Sequence, residues 1–142
     1  MGILNVKLQS LDEKTMYSAV ARDNPDIAID YFPPIGSGKG YTSLELFLAS
    51  FVSCVCSTVL SLLRYRMKKS IKGVTAEAQG TVREEHPKAL KHILLTLSLN
   101  SDEVTKEEAY DALKVAEEKM CPVWSMIKGN VEVEVQIIVE KY

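Results

Sequence analysis

Three cysteines, Cys54, Cys56 and Cys121, are the residues of this 142-residue chain whose type and placement suit chemistry. The reactive form of a thiol is the thiolate, which serves as nucleophile or as metal ligand. Cys54 and Cys56 lie two positions apart in a stretch with helical character, so they point roughly 200° apart around the helix axis. They do not share one small site, and a bond between them would need a dihedral that helix backbone does not supply. One of the two therefore reads as packing, since free cysteine is among the most buried residue types. Cys121 precedes Pro122, a residue suited to the first position of a new helical turn, where unpaired amide hydrogens favour a thiolate. It reads either as a resolving or attacking thiol or as a small buried stop residue.

Other chemistries fit less well. A metal site would have to combine the cysteines with His86 and His92, but short zinc-binding chains supply ligands as close pairs, and no such pairing occurs. The histidines read as residues of a hairpin turn and a strand surface. Nothing in the sequence orients a histidine toward either thiol for nucleophilic hydrolysis. The segment Pro33-Pro34-Ile35-Gly36-Ser37-Gly38-Lys39-Gly40 departs from a phosphate-binding loop twice, with Pro33 in place of glycine and Gly40 in place of serine or threonine. It reads as a loop shaping the entry to a helix.

The elements that must position the thiols follow from periodicity. Residues 3–8 alternate apolar and polar, as do those around Tyr17, Ala19 and Ala21, and a turn at Asp23-Asn24-Pro25-Asp26 leads to a third short strand at Ile27, Ile29 and Tyr31. Thr42 or Ser43 can cap the long apolar run that follows. Val74, Ala76 and Ala78, then Ile93, Leu95, Leu97 and Leu99, mark a hairpin. Thr105-Lys106-Glu107-Glu108 is a capping box, and the helix behind it places Ala109, Ala112, Leu113, Ala116 and Met120 on one face. Proline ends that helix at Cys121-Pro122. A short helix over 123–128 and a final strand alternating from Val131 to Val139 complete the chain. The predicted order is β-β-β-α-β-β-α-β, a single α+β domain over 1–142 with mainly antiparallel strands around a long buried central helix.

Composition sets the bounds. Apolar residues make up 46% and charged residues 25%, ordinary for a soluble globular protein. A formal charge of −2 with no lysine-arginine stripe argues against nucleic acid as a partner. Residues 46–63 carry no charge and match the shortest bilayer span, with Arg64, Arg66, Lys68 and Lys69 as a ready anchor. The serines and cysteines in the run, Glu45 at its start and the flanking strands favour a buried helix and no membrane. The amino terminus lacks a signal-peptide layout, so a reducing cytoplasm is expected, where three cysteines do not suggest a disulfide framework.

Two segments carry a family resemblance. Residues 42–54, TSLELFLASFVSC, resemble the approach to the first reactive cysteine of the OsmC/Ohr family, and residues 118–124, EKMCPVW, resemble the surroundings of that family's second cysteine. The order of elements is similar over nearly the whole chain. The resemblance implies an OsmC-like fold in an intertwined homodimer with shared active sites. It also implies a thiol-dependent peroxidase for organic hydroperoxides that uses no bound cofactor or metal. Cys54 would attack the O–O bond and become a sulfenic acid, Cys121 would condense with it to a disulfide, and an external dithiol would reduce that bond. Glu45 matches the family's glutamate upstream of the first cysteine. Peroxidase members use an arginine from the amino-terminal strand region to favour the thiolate; Arg22, the only arginine before the helix, lies in a plausible place for it, although its neighbours differ from the family's glycine-rich segment.

Helix geometry bears on that assignment. Glu45 lies nine residues before Cys54, roughly 180° around a continuous helix and about 13 Å along it. Glu45 therefore reaches a second chain's cysteine more easily than its own, which independently favours a dimer. Cys56 has no counterpart in the family pattern and reads as core packing. The rival reading is a redox-sensing or ligand-binding module on the same fold, without turnover. A purely structural role for all three thiols is the third.

Overall fold

The computed structural model describes residues 2–141. It is an α+β chain that divides into two compact units, with the boundary between Phe47 and Leu48.

In the amino-terminal unit β1 (Lys7–Ser10), β2 (Tyr17–Val20) and β3 (Ile27–Ile29) form the expected antiparallel meander, in the order β1-β2-β3. Its register pairs Leu8 with Ala19 and Tyr17 with Ile29. β1 begins later than the alternation from residue 3 suggested, and Ile3, Leu4, Val6 and Leu8 are 83%, 97%, 70% and 58% exposed. The alternation is real, but these apolar side chains are exposed among the described residues. The loop after β3 is organised by Asp30, whose buried carboxylate accepts hydrogen bonds from the Thr15 hydroxyl (2.9 Å) and from the amides of Tyr31 (2.8 Å), Ser37 and Lys39 (both 3.1 Å). Burial pushes this carboxyl up, but the hydrogen bonds together hold it below its ordinary value. Gly36 is required in that loop, because a Cβ would collide with the Tyr31 carbonyl, the Asp30 carboxylate and the Thr15 hydroxyl.

The long apolar stretch becomes α1 (Ser43–Ser61), extended by a π-helical turn at Leu62–Arg66. Its start is a complete capping box: Thr42 Oγ1 accepts from the Glu45 amide at 3.2 Å, and Glu45 Oε1 accepts from the Thr42 amide at 2.8 Å. By length and composition the helix could cross a membrane. One face, however, is closed inside the protein, with Phe51, Val55 and Val59 fully buried, while Ser50, Ser53, Ser57 and Ser61 are exposed. In the single chain α1 is thus half-covered, where the sequence suggested burial on all sides. Arg64 is committed to the fold, donating to the Ile71 carbonyl at 2.8 Å.

The carboxy-terminal unit is built on a sheet in the order β4-β5-β6, from β4 (Gly73–Val82), β5 (Leu90–Asn100) and β6 (Glu132–Glu140). β4 runs antiparallel to β5, and β6 runs parallel to it. Ile93, Leu95, Leu97 and Leu99 of β5 are fully buried and define the inner face. The register places Val74, Ala76, Ala78 and Gly80 beside them on β4, and Val133, Val135, Ile137 and Val139 on β6. Gly80 is the point of closest approach, since a Cβ would run into Leu90 and crowd Leu48 of α1. The parallel connection from β5 to β6 carries α2 (Lys106–Val115), a π-helical turn at Ala116–Met120 and α3 (Pro122–Ile127). α2 starts with the predicted box, Thr105 Oγ1 accepting from Glu108 at 3.1 Å and Glu108 Oε1 from Thr105 at 3.0 Å. Ala109, Ala112, Leu113 and Ala116 are buried as their spacing requires, whereas Met120 is 48% exposed. The π-turn breaks the 3.6-residue period between Ala116 and Met120 and turns Met120 off the face.

Candidate active site

The carboxy-terminal unit brings Cys54 and Cys121 together. Both are free thiols, and their sulfurs lie 2.9 Å apart, within hydrogen-bonding distance. Two ring side chains set this meeting. Phe51 lies three residues before Cys54, and Trp124 three residues after Cys121. Their rings pack edge to face, with centroids 5.5 Å apart and planes at 86°. Both rings are nearly closed off from solvent, so the aromatic contact fixes α3 on α1 one helical turn away from the two sulfurs.

Cys121 owes its placement to two local devices. The π-turn closes with a hydrogen bond from the Cys121 amide to the Ala116 carbonyl at 2.9 Å. The chain then takes an extended conformation at Cys121 and enters α3 with Pro122 in its first turn. Cys121 is 2% exposed and Cys54 is half-buried. Burial pushes the Cys121 thiol up to about 11, and its hydrogen bond with Cys54 and the charge of that sulfur act in the same direction. The amides of Trp124 and Val123 pull the other way. The amide effect expected of a helix start is therefore present but outweighed by desolvation. Cys54 is the less buried of the two sulfurs.

Cys56 is buried, and burial raises its thiol. It lies on the core side of α1, as its packing assignment requires. Glu45 is exposed at the first turn of α1, with one carboxylate oxygen engaged by the Thr42 amide. The sequence contained the Thr-x-x-Glu signature of this cap, which the reading of Thr42 and Ser43 as alternative caps did not use. Arg22 is exposed in the turn after β2 and has a positive φ of 58°. Arg22 and Glu45 belong to the amino-terminal unit, and both thiols to the other. His86 lies in the exposed hairpin turn, and His92 sits on the outer sheet face 3.9 Å from Glu134. Among the described residues no group of three or more His, Cys, Asp or Glu is arranged to hold a metal ion.

The dithiol and the fold around it define a class of protein. The family model described as OsmC-like protein matches residues 36–136, and this chain belongs to that family. A hypothetical protein from Aquifex aeolicus VF5 has the same fold, with a TM-score of 0.85 at 24% identity over 100% of this chain and 99% of that one. An OsmC-like protein from Mycoplasma pneumoniae gives 0.81 at 17% identity, covering 97% of each chain. A Legionella pneumophila protein named as an organic hydroperoxide resistance protein OsmC gives 0.73 at 19% identity, covering 98% of each. No curated protein sequence matches the chain.

Proposed function

We propose that this protein is a cytoplasmic thiol peroxidase that reduces organic hydroperoxides. The observation that carries the reading is the 2.9 Å approach of two free thiols on separate elements. Cys54, as the thiolate, attacks the terminal oxygen of the hydroperoxide. The O–O bond breaks, Cys54 becomes a sulfenic acid, and the alkoxide leaves as the alcohol after taking a proton. The Cys121 sulfur then forms the S–S bond, the S–O bond breaks, and the hydroxyl departs with the Cys121 proton as water. An external dithiol restores both thiols by exchange. Membership of a family whose similar structures include proteins named for organic hydroperoxide resistance supports the substrate class.

The working form in this reading is a homodimer. Support comes from the run of exposed apolar side chains from Ile3 to Leu8, a pattern that soluble monomers avoid, and from the helical separation of Glu45 and Cys54. Glu45 and Arg22 of one copy would then serve the Cys54 of the other, Arg22 favouring the thiolate. Rapid mixing of reduced protein with cumene hydroperoxide tests the reaction. The thiol titre falls by two per chain, and peptide mapping finds Cys54 bonded to Cys121; an unchanged titre with no such peptide rejects the peroxidase. The exposed turn position of Arg22 favours, as a second reading, a redox sensor without turnover. Unchanged kinetics in Arg22→Ala would mean that the arginine has no part in turnover.

A further inference from the structure

We infer that the buried Cys121 thiol is the hydrogen-bond donor that stabilises the Cys54 thiolate, before it acts as the resolving nucleophile. The inference rests on Cys54 being the attacking sulfur of the proposed peroxidase, and it assigns Cys121 a role one step earlier than disulfide formation. Its basis is geometric. Among the described residues the Cys121 thiol lies within hydrogen-bonding distance of Cys54 Sγ, at 2.9 Å. Of the two sulfurs, Cys121 is the one cut off from water, so the shared proton belongs on Cys121 and the charge on Cys54.

The surroundings within this unit supply few competing charges. On α1 no ionisable side chain other than Cys54 and Cys56 stands between Leu48 and Leu63. The inner face of the sheet is apolar on all three strands. The π-turn before Cys121 carries Glu117, Glu118 and Lys119, of which Glu118 and Lys119 are exposed. Glu117 pairs with Lys128, which follows α3, at 3.6 Å. Each of these side chains is partly or fully in solvent, where its charge is screened.

The same proton serves both steps. While Cys54 is a thiolate, the Cys121 S–H bond points at it and lowers the cost of the charge. Once Cys54 carries the hydroxyl of a sulfenic acid, that proton leaves with the hydroxyl as water and frees the Cys121 sulfur to close the disulfide. Atoms and electrons balance with the hydroperoxide as the only oxidant.

The test is the pH profile of Cys54 alkylation by iodoacetamide, read by peptide mass so that Cys56 and Cys121 do not contribute. Wild type is compared with Cys121→Ala, Cys121→Val and Cys121→Ser, each checked for fold by circular dichroism. A hydrogen bond to a charged group commonly supplies about one pKa unit or more. Removing the donor in the alanine or valine variant is therefore expected to raise the Cys54 midpoint by about one unit, with roughly tenfold slower alkylation at neutral pH. Serine, which keeps a donor, leaves the midpoint within a few tenths of wild type. A midpoint unmoved in both alanine and valine, or raised as much by serine as by valine, overturns the inference. The readout needs no peroxide turnover: a shifted midpoint without hydroperoxide consumption rejects the peroxidase alone, and consumption with an unshifted midpoint rejects the donor alone.

Discussion

Oxidation of the dithiol should stabilise the protein by an amount that the topology sets. Cys54 and Cys121 are 67 positions apart in sequence, with β4, β5 and α2 between them. Closing a loop of this length in the unfolded chain removes entropy equivalent to about 4 kcal/mol. The thiol–thiol hydrogen bond lost on oxidation offsets about 1 kcal/mol of that. The native state needs only a small closure of two sulfurs already in contact. A net gain of about 3 kcal/mol corresponds to an increase in Tm of roughly 10 °C for a chain of this size. Thermal melts of fully reduced protein, and of protein oxidised by one equivalent of cumene hydroperoxide, measure it. Cys54→Ser, treated identically, should show no such increase. An oxidised form that contains the Cys54–Cys121 bond but melts at or below the reduced form would refute the reasoning, because the bond would then be distorting the elements that hold the thiols.

Two further outcomes follow from the packing and the buried acid. Trp124→Ala removes the ring that seats α3 on Phe51 and should cost about 3–5 kcal/mol in a urea titration, while slowing formation of the Cys54–Cys121 bond in peroxide-treated protein. Asp30 has a lowered folded pKa, so its contribution to stability is present above the unfolded carboxylate value and lost as pH falls through the folded one. Asp30→Asn should accordingly lower Tm at neutral pH and close the gap with wild type toward acid pH; a gap that is constant from about pH 7 to about pH 3 would mean that ionisation of Asp30 is irrelevant.

The fold was legible in the sequence wherever one face of an element is buried. β5 alternates because Ile93, Leu95, Leu97 and Leu99 face the core, and α2 announces its start through Thr105 and Glu108. Both cysteine contexts were recognisable, and the separation of Cys54 from Cys56 followed from helical geometry alone. Less was legible where backbone departs from the regular period. The π-turn at Ala116–Met120 has no compositional mark, yet it turns Met120 outward and delivers Cys121 to α1. The pairing of Phe51 with Trp124 joins positions 73 residues apart (124 − 51), a separation at which no periodicity operates. The direction of the Cys121 shift was similarly hidden. Pro122 advertised a helix start that favours a thiolate, but the extent of burial that defeats it belongs to tertiary packing.

The two proposed sources of thiolate stabilisation differ in what they require. In the proposed dimer the cation of Arg22 and the carboxylate of Glu45 would come from a second copy, whereas Cys121 lies in the same unit as Cys54. Dilution separates the two. If Cys121 carries the effect, the Cys54 alkylation midpoint stays constant as protein concentration is lowered through the range in which sedimentation velocity would show the proposed dimer giving way to single chains. If the second copy's arginine carries it, the midpoint rises as the dimer population falls, by about one unit for the loss of one nearby opposite charge. High salt gives an independent check on the same question. A partly exposed guanidinium is screened by added salt and a buried S–H donor is not. A midpoint insensitive to both dilution and salt would therefore place the activation of Cys54 with Cys121.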